Sequence, residues 1–113
     1  MSRVSKISTS PPAAVEEMLN RLGRNIRTAR LRRRLSMEEL AERIGISRYV
    51  LADVENGKPT TAVIAYIGAL WALGLHQQIH KLADPNRDEE GKILERARSP
   101  RTAPKRKVVD DDF

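Results

Sequence analysis

Apolar residues recur along this chain at spacings of three and four, broken at intervals by glycine and proline. From Ala13 to about Arg33, Leu19, Leu22, Ile26 and Ala29 form one such stripe, with arginines over the other faces. That pattern predicts an amphipathic helix with a core-facing side. Ser36 then opens a capping box, in which its side chain caps the next helix and Glu39 reaches back. The second helix is expected from about Met37 to Ile44, burying Leu40, Ala41 and Ile44. Gly45 stops it, because glycine takes the left-handed conformation at a helix C-cap without penalty. Ser47 caps a third helix, about Arg48 to Asn56, which buries Leu51 and Val54. Gly57 ends it, and Lys58-Pro59 forbids continuation.

Thr60 or Thr61 is expected to cap a fourth helix running to about Leu73, burying Val63, Ile64, Ile67 and Leu70 and carrying Trp71. A fifth, about Leu75 to Ala83, shows Leu75, Ile79 and Leu82 on one face, and Asp84-Pro85 closes the domain. No repeat and no strand-like alternation interrupts this region. The expected fold class is therefore all-α: a five-helix domain over residues 13–85 with flexible tails. Residues 1–12, rich in Ser, Thr and Pro, are expected to be a disordered N-terminal segment. Residues 86–113 form a charged tail: D-E-E-G-K-I-L-E-R-A-R has the pattern of a short helix, and S-P-R-T-A-P-K-R-K reads as a basic, proline-punctuated linker.

Two of these helices are very short and meet over a tight link. A pair of helices crossing over a three- to four-residue turn needs a small side chain at the joint and a residue at ease with positive φ in the turn. Ala41 and Gly45 supply them, and Leu51 and Val54 follow Gly45 by six and nine residues to pack back on the first helix of the pair. These requirements are independent and are met at fixed spacing, which is the arrangement of a helix-turn-helix. With Leu51 and Val54 facing the core, Arg48, Tyr49, Ala52 and Asp53 lie outward.

Charge fits that reading. The net charge is +6, which favours a polyanionic partner. Residues 1–35 carry a balance of +7, residues 36–85 a balance of −2 and residues 86–113 a balance of +1. The absence of cysteine excludes disulfides and thiolate metal sites. No apolar run approaches the roughly 20 residues of a membrane span, and the N-terminus lacks the apolar core of a secretory signal. A cytoplasmic protein is expected. No nucleophile–base arrangement stands out, so an enzyme is not expected, and neither is a cofactor. His76 and His80, four apart, and Asp110 to Asp112 read as solvated side chains without a metal role.

R-x-x-R at residues 27–30, S-M-E-E-L-A-E-R-I-G-I-S at 36–47 and V-E-N-G-K-P at 54–59 resemble the Cro/repressor (Xre-type) helix-turn-helix domains over about residues 19–83. The resemblance implies a domain that dimerises and binds operator DNA with its third helix in the major groove. Arg48 then suits bidentate bonding to guanine, Tyr49 a base or phosphate contact, and Ala52 a thymine methyl. Asp53 either accepts from cytosine N4 or orients Arg48, the second being favoured. Ser36, Arg43, Ser47, Asn56, Lys58, Thr60 and Thr61 are the phosphate-contact candidates, at or near helix ends where amides can face an anion. The resemblance also implies an ion pair of Arg30 with Glu55 beneath the motif. Two departures stand out: Met37 where the family usually has glutamine, and Arg34 where it often has glycine.

The fourth helix is more apolar than a small domain can bury. Trp71, Leu75, Ile79 and Leu82 are thus expected at a homodimer interface, the alternative being that Trp71 caps the monomer core. The tail, L-A-D-P-N-R-D-E-E-G-K-I-L-E-R-A-R with a basic run and D-D-D-F, resembles HipB-like antitoxins. That likeness implies a partner, a HipA-like serine/threonine kinase toxin, and repression of a shared toxin–antitoxin promoter. The alternative is a stand-alone Xre-type regulator, with a tail that is inert or a nonspecific DNA arm.

Overall fold

Serine caps, with proline and glycine, set many of the points where the helices of this chain start and stop. The computed structural model describes residues 5–98. Ser5 accepts a hydrogen bond from the Ser8 amide at 3.3 Å and starts one helical turn, α1 (Lys6–Thr9), inside a segment expected to be disordered. Pro12 then stands at the N-cap of α2 (Ala13–Arg32). α3 (Met37–Ile44) carries the full capping box: the Glu39 amide donates to the Ser36 hydroxyl at 3.0 Å, and the Ser36 amide donates to the Glu39 carboxylate at 2.8 Å. α4 (Arg48–Glu55) and α5 (Val63–Ala72) follow. Among the described residues there is no strand.

Described residues divide into two compact units, the first ending at Gln78 and the second beginning at Ile79. In the first, α2 packs on α4, α3 on α4 and α5, and α4 on α5. Ile26, Leu40, Leu51 and Val54 are fully buried at the centre, with Leu19, Leu22, Ile44 and Met37 packed around them. Met37, standing where the resemblance expects a phosphate-binding glutamine, is half-buried and packs against this core.

A glycine fixes how closely α2 approaches α4. A Cβ on Gly23 would lie 2.5 Å from the Glu55 carbonyl oxygen and 2.6 Å from that of Val54. Only a residue without a side chain lets two helix backbones meet so closely. Beside this crossing the Arg30 guanidinium grips Glu55 bidentately, with Nε to Oε2 at 2.7 Å and Nη2 to Oε1 at 3.1 Å. Its Nη1 donates to the Leu35 carbonyl at 3.0 Å. Both residues are buried, at 6 % and 8 % exposure. The hydrogen bond to Glu55 raises the Arg30 pKa against the opposing effect of burial. Leu35 follows Arg34, which sits at φ 56°, in the left-handed region.

The face of α5 differs from expectation. Ala65, Tyr66 and Ala69 are buried, while Val63, Ile64 and Ile67 are exposed. Close packing explains this: a Cβ on Gly68 would lie 2.9 Å from the Ile44 side chain, so the inward face has room only for small residues and one flat ring. The Tyr66 hydroxyl donates to the Lys58 carbonyl at 3.0 Å. The expected cap of α5 is also absent: Ala62 is the N-cap and supplies no side-chain bond.

Where a fifth α-helix was expected, His76–Lys81 forms a 3-10 segment with no buried residue. Leu75 packs against the core just before this segment, but Ile79 is only half-buried and Leu82 is exposed, which is too little burial to sustain a regular α-helix. In the second unit, Asp84 caps a short 3-10 turn at Pro85–Arg87, and Asp88 accepts from the Gly91 amide at 2.9 Å at the start of α6 (Glu89–Arg98). Residues 1–4 and 99–113, including Ser99, Thr102, Asp110 to Asp112 and Phe113, lie outside the described residues.

Candidate nucleic-acid interface

The link between α3 and α4 is Gly45-Ile46-Ser47. Gly45 has φ 89° and ψ 32°, with no atom within 4 Å of where a Cβ would sit. The backbone angle, and not lack of space, requires glycine there. The amides of Gly45 and Ile46 both donate to the Ala41 carbonyl, at 2.8 and 3.1 Å, which closes the end of α3. The Ser47 hydroxyl accepts from the Val50 amide at 3.1 Å and starts α4.

Leu51 and Val54 are fully buried, so the other side of α4 carries Arg48, Tyr49, Ala52 and Asp53 outward. Tyr49 is 75 % exposed, Arg48 is exposed, and Ala52 and Asp53 are half-buried. Arg48 Nη1 donates to Glu38 Oε2 at 2.9 Å, and its guanidinium carbon stands 5.5 Å from the Tyr49 ring centroid. The hydrogen bond from Arg48 holds the Glu38 carboxyl below its usual range and raises Arg48 in turn. This corrects the expectation that Asp53 orients Arg48. Residues five apart on a helix are not neighbours on its surface, whereas α3 packs on α4 and brings Glu38 within reach. Asp53 lies instead 3.7 Å from the Lys58 ammonium.

The flanks of α4 hold the phosphate candidates. Ser36, Arg43, Ser47, Asn56, Lys58 and Thr60 are exposed. The hydroxyls of Ser36 and Ser47 are already occupied as helix caps. Lys58 is anchored from behind, its amide donating to the Asp53 carbonyl at 3.0 Å and its carbonyl accepting from Tyr66. Burial, with the charge of Asp53 second, pushes the Tyr66 phenol up, so it stays a donor. Thr61 is the exception: its hydroxyl oxygen is buried and makes no hydrogen bond with the described residues.

A family model described as a helix-turn-helix domain matches residues 21–77, just over half of the chain. The chain belongs to the helix-turn-helix domain family. No curated protein and no solved structure matches it. The match supports a DNA-binding regulator of the Xre type. The helix-turn-helix domain accounts for α3, its turn and α4, with most of α2 and all of α5 as their support.

The four residues expected at a dimer interface divide between the two units, Trp71 and Leu75 in the first, Ile79 and Leu82 in the second. Trp71 is 58 % exposed and does not cap the core. Among the described residues no group of His, Asp or Glu is arranged to hold a metal, and no helix is long and apolar enough to cross a membrane. Two functional features escaped the sequence reading. Gly23 lies on the apolar stripe of α2 between Leu22 and Ile26, a position that marks a close crossing. Glu38 carried no local signal, because its role arises only when α3 and α4 meet.

Proposed function

We propose that this helix-turn-helix protein is a sequence-specific transcriptional repressor, a binding module and not a catalyst, that acts in the cytoplasm as a homodimer on operator DNA. The observation that carries the reading is the outward face of α4: Arg48 and Tyr49 project from a short helix whose opposite face, Leu51 and Val54, is locked in the core. A helix held that way presents rigid side chains to a major groove. Arg48 and Tyr49 read base edges, with Ala52 and Asp53 behind them. Arg43, Asn56, Lys58 and Thr60 meet the phosphates on either side.

The dimer contact in this reading runs along the exposed ridge of α5, where Ile64, Ile67 and Trp71 lie at helical spacing beside Val63. It keeps Trp71 and Leu75 from the expected interface and adds the three aliphatic residues. The finer reading, an antitoxin that restrains a HipA-like kinase toxin and represses their shared promoter, rests on the tail sequence. A toxin-coupled role predicts that removing residues 86–113 abolishes protection from a kinase encoded beside this gene while leaving DNA binding intact. Selection from a pool of randomised duplexes tests the whole. The expected product is a pair of two-fold-related half-sites about one helical turn, ~34 Å, apart. A pool with no enriched sequence removes the reading.

A further inference from the structure

The Arg48–Glu38 pair sits on the face that the proposed function turns toward DNA, and it leaves the guanidinium neither free nor fully engaged. Among the described residues only Nη1 has a hydrogen-bond partner, Glu38 Oε2 at 2.9 Å. The Tyr49 ring lies beside the same group, with its centroid 5.5 Å from the guanidinium carbon. Glu38 comes from the first turn of α3, whose start is fixed by the Ser36–Glu39 capping box. One side of the fork is thus held by a neighbouring helix and the plane is backed by a ring. Nε and Nη2 remain available, and two such parallel donors match the O6 and N7 acceptors of guanine. The side chains stay 52 % and 64 % exposed, so a base edge can reach the fork without the pair first being dismantled.

Resting on the reading of α4 as the base-reading helix, we infer that Glu38 is a specificity-determining positioning residue. It fixes the Arg48 fork so that its free edge discriminates one G·C pair, and it does so without touching DNA itself. An unpaired Arg48 would sample many rotamers and bind phosphates as readily as a base. Glu38 also opposes that nonspecific use, since its own charge repels the phosphate backbone.

The test measures base preference and not affinity alone. Operator duplexes selected by the wild-type chain are varied one base pair at a time, and binding is compared for wild type, Arg48→Ala, Glu38→Gln and Glu42→Gln. Glu42 is another exposed carboxylate on α3, so its variant makes the same charge change and serves as the control. Arg48→Ala defines the position that α4 reads through this residue. Glu38→Gln is expected to lose about fivefold or more of the discrimination at that same position. Its affinity for unrelated DNA should rise no less than that of Glu42→Gln, and its thermal melting should stay close to that of the control. Discrimination retained within about twofold of wild type overturns the inference while leaving base reading by α4 intact. Tighter operator binding by Glu38→Gln with preference unchanged also overturns it, since Glu38 would then be only a competitor for Arg48. A wild-type chain that selects no sequence, or an Arg48→Ala variant that loses no position, removes the α4 reading and the inference with it.

Discussion

Replacing Glu55 by Ala should strongly destabilise the domain. The substitution removes both carboxylate oxygens from Arg30, which they contact at 2.7 and 3.1 Å. Arg30, only 6 % exposed in the wild-type fold, then keeps one bond, to the Leu35 carbonyl at 3.0 Å. It cannot escape by losing its proton, because arginine does not deprotonate in proteins. Stranding a buried charge in this way costs about 3–5 kcal/mol. Small domains have total stabilities of about 5–15 kcal/mol, so the loss is a large share of the reserve. At roughly 4–8 °C per kcal/mol for a domain of this size, the melting temperature should fall by about 12–40 °C. Far-UV circular dichroism follows the loss of helix directly. The double variant Arg30→Met/Glu55→Met separates the charge effect from simple loss of contacts. It removes both charges at similar volume and should recover most of the lost stability. A Glu55→Ala variant destabilised by less than about 1 kcal/mol would show an ion pair behaving as a solvated one and refute the reasoning.

The other expectations follow from backbone geometry and from titration. Gly23→Ala should destabilise by about 1–3 kcal/mol in denaturant unfolding, because its Cβ would meet two backbone carbonyls that cannot move aside singly; the roughly 1 kcal/mol gain in helix propensity is too small to offset it, and a neutral result would mean that α2 and α4 slide apart freely. Arg34→Gly should stabilise by up to about 1 kcal/mol, since it relieves a left-handed arginine at φ 56°; a loss of stability would show that the side chain makes contacts outweighing the strain. The Glu39 carboxyl is held below its usual range by the Ser36 amide and then the Ser36 hydroxyl, so its contribution is full above the ordinary glutamate pKa of about 4.3 and is lost as pH falls through the lowered folded value. Thermal melts from pH 6 down to pH 2 should therefore show a smaller acid loss for Glu39→Gln than for wild type, and parallel curves would remove the capping carboxylate from the account.

Much of this architecture is legible from local signals. Ser36 with Glu39, Ser47 and Gly45 declare the bounds of α3 and α4, because capping and positive φ are decided within a few residues. Leu40, Leu51 and Val54 declare the core, because their spacing leaves one face for them. The inward face of α5 is not legible in this way. Val63, Ile64, Ala65, Tyr66 and Ile67 are all apolar enough to be buried, and the choice of Ala65 and Tyr66 depends on how near α3 comes. The partner of Arg48 is hidden for a related reason: Asp53 is near in sequence, Glu38 is near only after two helices have packed. Side-chain pairing across helices is set by crossing geometry, and one sequence holds that geometry only implicitly.

The most direct test of the central claim is fluorescence anisotropy of the full chain. The DNA would come from upstream of its own gene, with a scrambled duplex of equal length as control, titrated at several salt concentrations. The account predicts a preference of about 10³-fold or more for the upstream DNA. Equal binding to both duplexes, falling steeply with salt, would show phosphate attraction alone and contradict it.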